Sequence, residues 1–267
     1  MRKSEINKFS ETAEIYAEVR PTYPEDMYRK IAEMVSDMAN KNILEVGPGP
    51  GNSTREFMQY FPARITACEP NPDFGRLFAA QFTADPHVTL KNEHFEENAF
   101  AGQSFDVIYA ATTFHWLDQA AKYAEASRLL TPEGWLITCW NNYLLMDVEL
   151  KEKLSALFTA YDANIEMING TMEKILAKID RRKNEIESGA YFSVVLHDLF
   201  ETKYSYSAEQ FCALLRTFAD QSLGDRMATL LQAVRVLVME NGDELTIKVI
   251  TNLEIARKTG IFPQREK

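Results

Sequence analysis

The chain has 267 residues, with 29 Lys and Arg against 39 Asp and Glu and a formal net charge of −10. No basic run offsets that balance, so neither duplex nucleic acid nor an anionic membrane surface is an expected partner, since both require clustered positive charge. Three cysteines at long spacings, Cys68, Cys139 and Cys212, fit neither a disulfide framework nor a zinc cluster. The N-terminus lacks the apolar segment of a leader peptide, and no run of ~18 uncharged apolar residues follows. The expectation is a soluble, cytoplasmic protein with no metal centre, built as one α/β core with an insertion.

Residues 9 to 40 carry apolar positions at helical spacing, first Ala13, Tyr16 and Ala17, then Met27, Ile31, Met34, Val35 and Met38, with Pro21 and Pro24 between the two helices. From Asn42 the pattern becomes strand, helix, strand: NILEVG, a helix over Arg55 to Tyr60, then RITACEP. The rhythm continues through a helix from Phe74 to Thr83, the strand HVTLKN, a turn at Ala101 to Ser104 and the strand FDVIYAA. A helix from Gln119 to Leu130 follows, closed by ThrProGluGly before the strand WLITCWN. Five strands separated by helices imply a parallel sheet with right-handed crossovers.

After Asn142 the strand signal lapses, and amphipathic, charge-rich helices are expected between Asp147 and Glu187. Within them Arg181, Arg182 and Lys183 read as a solvated helix face. Strand character returns at TyrPheSerValVal and GluThrLysTyrSerTyrSer, helices follow from Ala208 to Met239, and the chain ends on LTIKVITNLEI, which could complete the sheet.

Two features carry chemistry. LEVGPGPGNST places Glu45, Gly47, Gly49 and Gly51 at the end of the first strand, where α/β proteins bind ligands and where a missing Cβ lets a nucleoside approach the backbone. Pro48 and Pro50 stiffen that loop. The spacing is GxGxG; a dinucleotide fingerprint needs its third glycine where Asn52 stands, and Ser53 is expected to cap the helix that follows. Eighteen residues after Gly51 the second strand ends in Glu69, whose carboxylate can accept from both hydroxyls of a ribose.

With these motifs the chain resembles the class I S-adenosylmethionine-dependent methyltransferases. It is most similar to the small-molecule enzymes grouped as type 11 and trans-aconitate-like, through FSETAEIYAEVRPTYP, HFEE, SFDVIYAATTFHWLD, LLRTFAD and LTIKVITNLEIARK. The resemblance implies a Rossmann-like seven-stranded sheet with helices on both faces. It also implies an N-terminal helical lid (1–40), a cofactor-binding core (41–142), a helical cap (143–190) and C-terminal strands and helices (191–267).

By the same resemblance Gly47, Gly49 and Gly51 lie against the methionine and ribose of S-adenosylmethionine, Glu45 helps set the amino group, and Glu69 holds the ribose. Pro70 and Asn71 border the adenine, and Phe95 and Glu96 cap its edge, with His94 where many relatives carry an acid. Tyr16 and Arg20 share one face of the first helix, and Arg20 can pair with the methionine carboxylate. Ala111, Thr112, His115 and Trp116 follow the fourth strand at the ligand-bearing edge. His115 is a candidate general base, or else a structural hydrogen-bonding residue or a wall of the pocket. Trp116, Trp140 and Tyr143 form an expected aromatic wall near the sulfonium. The function implied is in-line methyl transfer to a small-molecule acceptor. The alternatives are a catalytically silent S-adenosylmethionine-binding protein and a nicotinamide oxidoreductase.

Overall fold

A short apolar run ending in glycine cannot continue as a helix, and it pairs sideways instead. The run that ends at Gly47 is one of seven strands in a single sheet of the computed structural model, which describes residues 12–96, 100–163, 165–218, 223–224 and 226–260. In chain order the elements are α1 (Ala13–Val19), α2 (Glu25–Met34), β1 (Asn42–Val46), α3 (Asn52–Tyr60), β2 (Arg64–Cys68), α4 (Pro72–Phe82), β3 (Val88–Lys91) and β4 (Phe105–Ala111). They continue with α5 (Lys122–Leu129), β5 (Leu130–Leu145), α6 (Val148–Ala160), α7 (Glu166–Asn169), α8 (Met172–Ser188), β6 (Phe192–Tyr206), α9 (Ala208–Arg216), α10 (Arg226–Glu240) and β7 (Leu245–Lys258). Residues 1–11 of the expected lid, Glu97 of HFEE, Ala219 and Asp220 of LLRTFAD, and residues 261–267 lie outside the described residues.

The sheet order is β3-β2-β1-β4-β5-β7-β6, with β1 to β5 parallel and β7 antiparallel to both its neighbours. The chain winds outward from β1 to β3, then crosses back to β4 on the other side. Crossovers therefore leave β1 and β4 in opposite directions, and a crevice opens at their C-terminal ends. Both faces of the parallel core are covered, as continuous apolar runs such as Asn42–Val46 and Phe105–Ala111 require. Ile43, Val107, Tyr109 and Ile137 pack under Met27, Tyr28 and Ile31 of α2 and Phe57 of α3. Leu44, Val46, Ile108 and Leu136 pack under Ala126 and Leu129 of α5 and Ile186 of α8.

The structure corrects the sequence reading at three places. The helix after β4 ends at Leu129, and Leu130 already pairs with Phe105, so Thr131 to Gly134 bulge out of a strand that has begun rather than precede it. β5 runs on to Leu145, past the expected start of the cap at 143, because Asn141 and Asn142 find partners inside the sheet: Thr251 donates to Asn141 Oδ1, and Asn142 Nδ2 donates to Asn252 Oδ1 at 2.9 Å. Ser53 does not cap α3. Gly51 holds the cap position with φ of 98°, and the Ser53 hydroxyl bonds Tyr109 instead.

Beyond the parallel core, β5 and β7 form a long ribbon whose far end, Leu145, Leu245, Ile247 and Val249, shares one core with α6, α9 and α10. α6, which precedes the boundary expected at 190, and α9 and α10, which follow it, thus share one core. α8 lies back over the ribbon, with Ile175 and Ile179 against Ile250.

Candidate functional site

Gly47 and Gly49 have φ of 63° and 60°, and the intervening proline keeps the loop rigid. Gly47 N–H donates to Cys68 O at 2.9 Å, which ties the loop to β2, while Thr113 Oγ1 donates to Gly47 O at 2.8 Å from the other side. A Cβ on Gly47 would stand 2.1 Å from Thr113 Cγ2, whereas one on Gly49 would meet nothing within 4 Å. Gly47 is therefore a packing glycine, and Gly49 faces open space.

That space is a cavity of about 440 Å³ over the C-terminal ends of β1, β2 and β4. Glu69, 4% exposed, forms its floor: Oε2 accepts from Gly49 N–H at 2.9 Å and Oε1 from Asn71 N–H at 2.8 Å. A carboxylate offers about four acceptor sites, so each oxygen keeps one lone pair for a ligand hydroxyl. Burial pushes the Glu69 carboxyl up to about 7, against the lowering by those two N–H donors.

The sequence-derived candidates divide as follows. Tyr16, Arg20, Pro70, Asn71, Phe95, Glu96, Ala111, Thr112, His115, Trp116, Trp140 and Tyr143 all line this cavity, with Gly47, Gly49 and Glu69. Glu45 and Gly51 do not. Strand alternation turns Glu45 to the Ile43 side, where it is 1% exposed, Oε2 accepts from Thr54 Oγ1 at 2.7 Å, and Oε1 is buried without a partner. Burial pushes its carboxyl up to about 8. Gly51 serves α4 instead, since a Cβ there would stand 2.6 Å from Phe82. Asn71 is also the N-cap of α4, accepting from Asp73 and Phe74 N–H.

On the far side of the cavity Trp116 and Trp140 flank His115, with ring centres 5.0 and 6.5 Å from it, while Tyr143 packs against Phe218 and Arg20. The Trp140 indole N–H donates to His115 Nδ1 at 3.0 Å, and the Arg182 guanidinium carbon lies 4.5 Å from the Trp140 ring centre. Trp140 thus already engages a cation. Because Nδ1 accepts, the neutral imidazole carries its proton on Nε2. Burial first, then the cations Arg182, Lys178 and Lys122, push His115 down to about 3. Arg20 reaches the cavity from the α1 end, but its Nε and Nη2 donate to Thr217 Oγ1 and O at 2.8 and 2.9 Å, and its plane lies 3.6 Å over Phe218.

Sequence reasoning missed several lining residues. Tyr23 joins its hydroxyl to Thr112 Oγ1 at 2.7 Å, Thr112 itself being held at φ of 57°. Asn141 donates to Pro21 O and Thr22 O, fixing the N-terminal segment to β5. Arg182, read as solvated, is 8% exposed and lines the cavity with Lys178 and Asn142.

Comparison with known proteins now decides the domain. The sequence profile of a methyltransferase domain matches residues 44–138, the stretch from β1 into β5 that builds the glycine loop and the Glu69 floor. Residues 44–138 are a methyltransferase domain of the type 11 family. A protein of Dictyostelium discoideum named as a methyltransferase is 29% identical over 142 residues, 53% of this chain and 51% of that protein. An uncharacterized methyltransferase of Mycobacterium tuberculosis is 26% identical over 133 residues, 50% and 51% of the two chains. The alignments thus span about half the length of these curated relatives. Among solved structures, one from Anaeromyxobacter dehalogenans assigned as a type II methyltransferase superposes with a TM-score of 0.57 at 17% identity, covering 89% of this chain and 97% of that one. At that identity the likeness is one of fold. No described helix is long and apolar enough to cross a membrane.

A pH dependence follows from Glu69. A diol donating to its oxygens favours the ionised form, so ligand binding competes with protonation. The affinity for S-adenosylhomocysteine is expected to fall about tenfold per pH unit below 7 and to level off above it. Calorimetry in two buffers of different ionisation enthalpy should also detect proton release near pH 7. A flat profile from pH 5.5 to 8 would show that Glu69 is not in contact with the nucleoside.

Proposed function

We propose that this chain transfers a methyl group from S-adenosylmethionine to a small-molecule acceptor in the cavity that Glu69 floors. The observation that carries the reading is the Glu69 carboxylate, held by Gly49 and Asn71 N–H at the crevice beside β1 with two lone pairs unused. The open space at Gly49 is the second element of fit, since a side chain there would occupy the nucleoside's place. When bound, S-adenosylmethionine supplies a methyl carbon on a sulfonium: the acceptor's lone pair forms the new bond as the carbon–sulfur bond breaks, and the electron pair passes to sulfur.

The residues do the rest. Glu69 orients the ribose, Pro70, Phe95 and Glu96 border the base, and Arg20 closes the α1 end with the N–H groups that Thr217 leaves over. Ordering of the reacting groups and exclusion of water by Tyr16, Tyr23 and Trp116 supply the rate. His115 acts as a hydrogen-bond donor through Nε2 rather than as a general base, because Trp140 occupies Nδ1 and a group depressed to about 3 is a feeble proton acceptor. The acceptor is then one whose lone pair is available at neutral pH without a base.

The nicotinamide alternative is disfavoured by Asn52. It stands where the third glycine of the dinucleotide fingerprint belongs, and its Nδ2 donates to Ala17 O at 2.9 Å, so α1 covers the start of α3 where a pyrophosphate would sit. Calorimetry with S-adenosylhomocysteine and NADH side by side tests the reading: binding of the first alone supports it, and binding of NADH, or of neither, overturns it. Turnover of labelled methyl separates an enzyme from a silent binder. At saturating substrates, kcat is expected to show no limb near pH 6.5; one that disappears in His115→Gln would restore the general base.

A further inference from the structure

Two cations are buried among the described residues, Lys122 and Arg182, and only the first has an acidic partner. Lys178 donates to Glu166 Oε1 at 2.7 Å, and Lys122, 1% exposed, lies 3.6 Å from Glu185. Arg182, 8% exposed, has no carboxylate within ion-pair distance among the described residues. Its hydrogen bonds run from Nη1 alone, to the amide oxygens Asn142 Oδ1 at 3.2 Å and Asn252 Oδ1 at 3.4 Å. Asn252 in turn donates to the buried Glu254, which balances the charge at one remove. One face of the guanidinium lies on Trp140. Nε and Nη2, the side-on fork, donate to nothing among the described residues.

The unused fork is open rather than sealed, since neither Nε nor Nη2 is among the fully buried unpartnered atoms and Arg182 lines the cavity, where an anion can complete it. Burial lowers the Arg182 pKa only to about 10, so it stays charged at neutral pH. Arg20 supplies the contrast within the same cavity: its Nε–Nη2 edge is filled by Thr217. The Nε–Nη2 edge matches the two oxygens of a carboxylate. The other cations near it, Lys178 and Lys122, are already paired with Glu166 and Glu185, and Glu166 itself lines the cavity. One fork on a single guanidinium, with Glu254 already near it, suits a monoanion, not a phosphate dianion.

We infer that the acceptor is a small carboxylic acid whose carboxylate docks on the Nε–Nη2 edge of Arg182, and that the methyl goes to a different atom of that molecule. This rests on the methyltransferase reading above. A carboxylate clamped by two charge-assisted hydrogen bonds has its lone pairs engaged and is a poor nucleophile, so the clamped group is the handle. The nucleophile is a second group, such as a thiolate or an amine that has already given up its ammonium proton to solvent, which forms the bond to carbon as the bond to sulfur breaks. Any proton it then carries leaves to solvent.

The test uses the full chain saturated with S-adenosylhomocysteine, titrated with succinate, glycine and benzoate against succinamide, glycinamide and benzamide. At least one carboxylate is expected to bind tenfold or more tighter than its amide, and Arg182→Gln should remove that difference while changing S-adenosylhomocysteine affinity less than threefold. Arg182→Lys, which keeps charge but not the fork, should restore only part of it. If Arg182→Gln fails to fold, the wild-type preference for acid over amide still decides. With labelled S-adenosylmethionine and an amino or thiol acid that binds, the product should resist mild alkali. S-adenosylhomocysteine binding with no acid preferred over its amide, tighter binding of inorganic phosphate than of any carboxylate, or an alkali-labile methyl ester each overturns the inference. Failure of S-adenosylhomocysteine itself to bind overturns the methyltransferase reading instead.

Discussion

Replacing Glu69 by Gln will weaken S-adenosylhomocysteine binding by roughly 100-fold and leave the chain folded. The substitution keeps the volume of the side chain but turns one acceptor oxygen into an N–H₂ group. In either orientation that group faces a backbone donor, Gly49 N–H or Asn71 N–H, which now lie 2.9 and 2.8 Å from the two carboxylate oxygens. One loop anchor is lost, and the ribose exchanges two charged acceptors for one neutral one. A hydrogen bond to a charged group contributes about 1.5–3 kcal/mol, and ~3 kcal/mol corresponds to roughly 100-fold in affinity. Titration at pH 8 makes the comparison clean, since wild-type Glu69, pushed up to about 7 by burial, is then largely ionised. A loss under fivefold, in a variant whose circular dichroism and melting match the wild type, would show that the nucleoside lies elsewhere.

Glu69 was legible in the sequence because the signal is local: a glycine loop, one helix, one strand and an acid at its end. The parallel strands were legible for a related reason. Burial on both faces makes them continuous apolar runs such as NILEV and FDVIYAA. Glu45 and Gly51 show where motif logic misleads. The period of two turns Glu45 away from the crevice towards Thr54, a consequence readable from Ile43 and Leu44 alone.

Arg182 was missed because its neighbours Arg181 and Lys183 give a charge run, and charge runs face water. A helical signal was nevertheless present: Ile175, Ile179, Arg182 and Ile186 form one stripe at helical spacing, and all four are buried. What the stripe cannot reveal is its destination, which Trp140, Asn142 and Asn252 fix from far along the chain. Asn142 is similar: two consecutive asparagines end a strand by propensity, yet here Asn252 and Ile250 O satisfy Asn142 and β5 continues.

Gly47→Ala will lower stability by about 3 kcal/mol, and Gly49→Ala will lower it by only about 1–2 kcal/mol but cost affinity. Both glycines have positive φ, at 63° and 60°, so an added Cβ costs each about 1–2 kcal/mol through the backbone. Their surroundings then separate them. At Gly47 the new methyl would stand 2.1 Å from Thr113 Cγ2, and Thr113 cannot rotate away without giving up its hydrogen bonds to Gly47 O and Ala111 O. Overpacking of this kind adds about 1–3 kcal/mol, and the sum corresponds to a fall in Tm of about 8 °C for a chain of this size. At Gly49 nothing lies within 4 Å, so the methyl enters the cavity freely and takes space from the nucleoside. Melting curves with and without S-adenosylhomocysteine separate the two effects. Gly49→Ala should melt within about 4 °C of the wild type but lose most of the ligand-induced stabilisation, while folded Gly47→Ala should keep a ligand-induced rise. Equal losses in both variants would mean that the loop acts as one unit, with no division between a glycine that admits Thr113 and a glycine that admits the ligand.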